Sequence, residues 1–235
     1  MNNADPGLKK IQKTEFFFYK NIGRALHRYN MIDEADRILV AVSGGKDSLS
    51  MLRALRYKQK KLPINFEIIV CHIDLGYRPE KTAEIEKFFK NEDLPYIIER
   101  VDLNKRKDPD KAIDCYWCAS NRRRKLFQVA DRYNCNKIAL GHHKDDIAET
   151  FLLNLFFHGE ISTMLPKQEL FKGKFYIIRP LALCEERFIS VLAKKCNFPI
   201  FESRCPKSGN TRRDMVKAIL ADLSKVTPDI KKNIF

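Results

Sequence analysis

The 235-residue chain lacks several things, and each absence excludes a class. No run approaches the roughly 18 uninterrupted apolar residues of a membrane span. The polar opening, Met1-Asn-Asn-Ala-Asp-Pro-Gly7, has no apolar secretory core, so a cytoplasmic protein with no membrane partner is expected. No internal repeat and no low-complexity tract occurs, and 44% hydrophobic residues exclude a disordered or collagenous chain. Acidic residues are scarce beside basic ones, 30 against 44, which leaves a net charge of +14. Such an excess attracts polyanions at long range, and nucleic acid is the leading partner class. The seven cysteines are an odd number without a secretory signal, which argues against a disulfide framework.

What is present alternates between two periodicities. Short β-branched runs at 37–42, 66–73, 96–101, 137–140 and 175–178 are separated by helical patterns near 47–60, 80–91, 119–133 and 145–157. Strands alternating with helices predict βαβ units: a doubly wound, open parallel α/β sheet whose strand carboxyl ends share one edge. Residues 8–30 read as a basic amphipathic helix, and 185–195 and 211–224 as two more. The expected division is a basic helix over 1–30, an α/β domain over 31–184 and a helical extension over 185–235.

The strongest motif follows the first strand: Ser43-Gly44-Gly45-Lys46-Asp47-Ser48. Two glycines permit close backbone approach, the helix opening near Asp47 offers free N–H groups and its positive dipole end, and Lys46 adds charge. The bland alternative is an ordinary glycine-rich turn. Walker A spacing and the G-x-G-x-x-G fingerprint are both missing. This hexapeptide resembles the PP-loop of the ATP-pyrophosphatases, enzymes that activate a carbonyl by adenylation. The resemblance implies ATP bound by Ala41, Ser43, Gly44, Gly45, Lys46, Asp47, Ser48 and Gly141, with adenine beside Ile73 and Asp74. It also implies magnesium, and catalytic roles for Lys46 and Asp47.

A second motif, Gly141-His-His-Lys-Asp145-Asp146, follows the fourth strand. The two aspartates suit a helix amino end, and they are equally hard oxygen ligands for Mg²⁺. The segment resembles the G-H-x-x-D-D motif of the same superfamily, with Asp145 the catalytic candidate and Asp145 or Asp146 the metal ligand.

Cys115-Tyr116-Trp117-Cys118 precedes an arginine-rich helix, and Cys205 sits on a loop before the last one. A C-x-x-C pair is a redox couple or half a metal site, and three loop cysteines suggest zinc or an iron–sulfur cluster. From Cys115 onward the chain resembles the tRNA 2-thiocytidine synthetase family. The matching residues are the PP-loop, Cys115-x-x-Cys118 with Arg122-Arg123, the stretch 137–146, Arg179-Pro-Leu-Ala-x-Cys184 and the Cys205 loop. That resemblance implies a 4Fe-4S cluster on Cys115, Cys118 and Cys205, with Arg122 orienting the base or stabilising the adenylate. Arg122 is otherwise a solvent-facing helix arginine. The family often carries a second C-x-x-C where this chain has Cys205 alone; Cys184 is the one substitute thiol, or else a buried one.

The implied reaction adenylates the C2 carbonyl of a pyrimidine, cytidine in an anticodon loop, and replaces oxygen by sulfide. The partners are tRNA and a sulfur donor, a cysteine desulfurase or free sulfide, with monomer or homodimer left open. Tyr116 and Trp117 are stacking surfaces or core, and the basic amino-terminal helix and the 207–217 segment are candidates for phosphate contact. The alternatives are a tRNA 2-thiouridine synthetase, a lysidine-synthetase-like ligase, which needs no cysteine triad, and a non-catalytic zinc-structured RNA-binding protein.

Overall fold

The computed structural model describes residues 6–76, 79–101, 115–199 and 211–235. Six strands form one sheet in the order β3-β2-β1-β4-β6-β5. These are β1 (Asp36–Ala41), β2 (Phe66–Asp74), β3 (Tyr96–Arg100), β4 (Lys137–Ala139), β5 (Lys167–Leu170) and β6 (Phe175–Ile178). The helices are α1 (Pro6–Arg28), α2 (Lys46–Gln59), α3 (Pro79–Asn91), α4 (Cys115–Arg132), α5 (Lys144–His158), α6 (Glu186–Lys195), α7 (Arg212–Val226) and α8 (Ile230–Ile234).

Strand alternation sorts the core onto two faces. Ile38 and Val40 of β1 join Ile68 and Val70 of β2 under α1, α2, α3 and α6, where Phe18, Leu52, Phe89 and Ile189 pack. Leu39, Ile69, Cys71 and Ile73 point to the opposite face, against Leu126 and Val129 of α4. Because α1 and α6 share the first cluster with β1, the terminal helices are built into the core of the α/β body. A third, small cluster joins Leu152 of α5 to Val216 and Leu220 of α7. Among the described residues no helix is long and apolar enough to cross a membrane.

The sheet departs from the expected all-parallel arrangement at one edge. β5 runs antiparallel to β6, joined by a turn in which Phe171, Lys172 and Gly173 all take left-handed angles. Its sequence, Lys-Gln-Glu-Leu, has no β-branched residue, and charged side chains of this kind blunt an open sheet edge.

The chain winds outward from β1 through β2 to β3, then resumes on the other side with β4. The crevice beyond the carboxyl ends of β1 and β4 is therefore a switch point, the usual ligand position in such sheets. At the opposite end Lys137 is buried with its ammonium 2.5 Å from Asp36 and 2.7 Å from Asp33, while Asn136 donates to the second Asp36 oxygen at 2.7 Å. Removing one partner of such a pair strands a buried charge. Lys137→Met should cost about 3–5 kcal/mol in urea unfolding. Asp36→Asn combined with Lys137→Met should recover much of that loss, and equal losses in single and double variants would show that the pair is not coupled.

Candidate functional site: a nucleotide cleft at the sheet switch point

The hexapeptide 43–48 forms the turn from β1 into α2. Gly44 takes a left-handed φ of 85°, open to glycine at little cost. Ser48 Oγ donates to the Gly45 carbonyl at 2.9 Å and accepts from the Ser43 amide at 3.2 Å, and the Gly45 amide donates to Ser43 Oγ at 3.3 Å. The two hydroxyls brace the loop from inside. Gly45, the N-cap of α2, offers no side-chain cap, so the first-turn amides lack the usual internal acceptor. Free N–H groups at the positive end of a helix dipole are a ready anion site.

The turn after β4 is packed directly onto this loop. A Cβ on Gly141 would lie 3.1 Å from the Ser48 amide nitrogen and 3.3 Å from the Asp47 carbonyl carbon, tight enough that the neighbouring backbone must give by a few tenths of an ångström. His143 then caps α5 through a reciprocal box: the His143 amide donates to Asp146 Oδ2 at 3.0 Å and the Asp146 amide to His143 Nδ1 at 3.4 Å.

The two aspartates of this turn separate. Asp146 lines the cleft. Asp145 is buried facing away from it, where it accepts the Glu186 amide at 2.8 Å and pairs with Lys231 of α8 at 2.5 Å. Burial alone would raise its pKa, but Lys231 and the amide outweigh burial and hold it below the ordinary value. Asp145, expected to be catalytic or metal-binding, thus has both its oxygens engaged by α6 and α8. Lys46 is similarly held, by Glu186 Oε1 at 2.8 Å and Asp47 Oδ1 at 3.0 Å. Burial works to lower its pKa, and the two carboxylates more than reverse that.

The cleft itself has a volume of about 580 Å³. It brings together Ala41, Ser43, Gly45, Asp47 and Ser48 from the first loop, Ile73 and Asp74 from β2, Gly141 and Asp146 from the second loop, and Cys118, Arg122 and Arg123 from α4. Of the expected nucleotide residues, Gly44 and Lys46 are not among those lining it. Cys118 is half-buried. The Cys115 and Tyr116 side chains, Cys205 and Lys207 lie outside the described residues. Among those described, no three His, Cys, Asp or Glu residues cluster as a metal site.

Other sequence candidates fall in the core. Cys184 is fully buried, with its thiol 3.8 Å from the Phe18 carbonyl and its pKa pushed up to about 12 by burial. Trp117 packs against the α4-side core cluster. Arg213, expected at a phosphate, turns inward: its guanidinium donates to buried Glu149 at 3.1 Å and to Thr150 Oγ1 at 3.3 Å. Burial raises the Glu149 pKa, with Lys217 and Arg213 opposing. Arg212 lies 4.9 Å over the Phe157 ring.

Two groups that the motifs did not single out for this role also reach the cleft. His72 is 5% exposed, and its Nδ1 lies 2.8 Å from the Val42 carbonyl, just before the phosphate loop. Burial lowers its pKa despite that carbonyl and Asp74. His142 accepts at Nδ1 from Nε of the buried Arg179, 3.4 Å away. Burial and then the Arg179 charge push its pKa down to about 4. Burial also pulls Arg179 down to about 10.

Comparison with known proteins agrees with this geometry. A family model described as a PP-loop domain matches residues 17–222. The tRNA-cytidine(32) 2-sulfurtransferase of Geotalea uraniireducens is 38% identical over 231 residues, 95% of this chain and 91% of that protein. That of Ralstonia pickettii is 38% identical, over 96% of this chain and 73% of its own. Among solved structures, the U34-tRNA thiolase NcsA from Methanococcus maripaludis with its [4Fe-4S] cluster superposes with a TM-score of 0.80 at 25% identity, covering 95% of this chain and 77% of that one. An NH3-dependent NAD synthetase from Campylobacter jejuni, at 16% identity and a TM-score of 0.52, shares the fold. The fold and its phosphate loop define a PP-loop protein. More narrowly, the chain belongs to the tRNA-cytidine(32) 2-sulfurtransferase family.

The Gly141 contact generates a test. Gly141→Ala must displace the Ser48 backbone by several tenths of an ångström. ATP affinity should fall by about tenfold or more, because small misplacements of a positioning element are costly. Titration calorimetry reads the affinity, and a thermal melt checks the fold. An unchanged dissociation constant would mean that the loop is not set by this contact.

Proposed function

We propose that the protein is an ATP-dependent tRNA sulfurtransferase acting on cytidine 32. One observation carries the reading: the amino end of α2, Asp146, Cys118 and Arg122 line a single cleft, so nucleotide and thiol chemistry share one space. The names of the relatives supply the substrate, and the structural neighbour supplies the cluster.

The C2 oxygen of the cytosine attacks the α-phosphorus of ATP and pyrophosphate leaves. Sulfide then adds at C2 and AMP departs with the former oxygen. The loop amides and Lys46 would hold the pyrophosphate, with Lys46 turning from Glu186 to the phosphates. Asp47 and Asp146 would hold Mg²⁺, both being hard oxygen donors on the cleft wall. Arg122 would face the charge that builds on the adenylate. Cys115, Cys118 and Cys205 would hold a 4Fe-4S cluster, which when bound supplies the sulfide. Cys118 fits this role: it is a half-buried cysteine on the cleft wall, in the first turn of α4. The sulfur would come from a cysteine desulfurase or free sulfide, and a tRNA substrate places the work in the cytoplasm.

Two variant sets test this. Lys46→Ala and Asp47→Ala should each lower tRNA-dependent AMP release by about 100-fold or more while leaving the thermal melt intact. Full release in both would remove the phosphate-loop assignment. Cys118→Ser and Cys205→Ser, purified without oxygen, should lose iron and the broad visible absorption of the cluster yet still bind ATP. Zinc in place of iron in the wild type would favour the non-catalytic RNA-binding alternative, and product analysis of U34 against C32 in tRNA separates thiouridine from thiocytidine synthesis.

A further inference from the structure

His72 and His142 reach the same cleft with opposite hydrogen-bonding character. A backbone carbonyl can only accept, so the proton of His72 sits on Nδ1 and Nε2 presents a lone pair. A guanidinium can only donate, so His142 carries its proton on Nε2. Among the described residues no hydrogen bond engages Nε2 of either ring. The surroundings keep both rings neutral. Around His72 stand Asp74, Lys81 and Arg122; around His142 stand Arg179, Asp146, Arg213 and His143. The cleft thus contains one buried acceptor and one donor, neither Nε2 having a hydrogen-bond partner among the described residues.

We propose that this pair reads the edge of the target pyrimidine, with Nε2 of His72 accepting from the 4-amino group of cytosine and Nε2–H of His142 donating to the ring acceptor beside it. The inference rests on the thiolation reading and adds the residues that choose the base. Cytosine presents a donor at C4 and an acceptor at N3. Uracil presents the reverse, an acceptor at O4 and a donor at N3. Against uracil, His72 would face a second lone pair and His142 a second N–H, and unmade bonds in a dry site are what a hydrogen-bonding pocket rejects most strongly. The contact also strengthens as the reaction proceeds, because adenylating O2 draws positive charge onto the 4-amino group.

The adenine of ATP carries the same exocyclic amine, yet the strand geometry points away from it. Ile73, where adenine is expected, belongs to the α4-side core face. His72, one residue earlier, projects to the opposite face and hydrogen-bonds beside the phosphate loop, where the reacting α-phosphate and its partner base must meet.

The test uses the full-length, cluster-loaded protein with ATP, inorganic sulfide and tRNA carrying cytosine, uracil or pyrimidin-2-one at nucleotide 32. Pyrimidin-2-one lacks the amine and is smaller, so it fits without clash. On the wild type, uracil and pyrimidin-2-one should each lower the thiolation rate by about 10- to 100-fold relative to cytosine. In His72→Phe the cytosine rate should fall by a similar factor and the cytosine-to-uracil ratio should approach unity. His72→Gln, which keeps an acceptor oxygen, should retain the preference. Dissociation constants of the cytosine and uracil tRNAs for the protein without cluster should converge in His72→Phe, while that for ATP alone stays within twofold. A retained ratio in His72→Phe overturns the proposal, as does a parallel loss of ATP affinity, which would assign the ring to adenine. Full activity on pyrimidin-2-one overturns it without any variant. A wild type inactive on all three tRNAs removes the functional reading and this inference together.

Discussion

The nucleotide end of the molecule depends on one backbone-to-backbone contact, Gly141 against Ser48. It exists because β1 and β4 are neighbours, so the turns leaving their carboxyl ends must pass each other. Any side chain at 141 would separate the two turns, and with them the anion-binding end of α2 from the carboxylate of Asp146. The cleft is the space these turns leave where the chain changes direction. Strand order, more than any single ligand residue, puts the phosphate loop, the second loop and α4 within reach of one small molecule.

Charge then sets the rest of the site. Lys46, Glu186, Asp145 and Lys231 follow one another from the phosphate loop through α6 and α5 to α8. The outer links are partly exposed, and pairs of that kind contribute only about 0–1 kcal/mol each. Their effect is positional. Glu186 holds the Lys46 ammonium close to the loop. Asp145 has the opposite character: buried and doubly bonded, it anchors the amino ends of α5 and α6 together. The buried Lys137–Asp36 pair does the same at the far end of β1 and β4, where no ligand chemistry interferes.

Much of this was legible in the sequence for reasons that can be named. Fully buried parallel strands read as β-branched runs, so β1, β2, β3, β4 and β6 stood out. β5 did not, because an edge strand of lysine, glutamine and glutamate carries no such signal, and α8 is too short to show a period. The phosphate loop was legible because its chemistry is local, six consecutive residues in one turn. The split between Asp145 and Asp146 was not. Adjacent helix residues point about 100° apart, and which one faces the cleft depends on where α6 and α8 pack. His72 was hidden inside an apolar run, where only the strand register shows which way it points. Arg213 looked like a solvent-facing cation until Glu149, far away in sequence, supplied its partner.

That last pairing fixes the start of α7 relative to the cleft. Cys205 falls between two fixed points. On one side Phe198 packs edge-on to Phe88 at 6.5 Å. On the other, α7 opens with a capping box between Thr211 and Asp214 and is held to α5 by Arg213 and Glu149. Glu149 lies on α5, whose first turn carries Asp146, so the start of α7 is referenced to the cleft wall. The pairing of Arg213 with Glu149 therefore holds the start of α7 against the helix whose first turn carries Asp146.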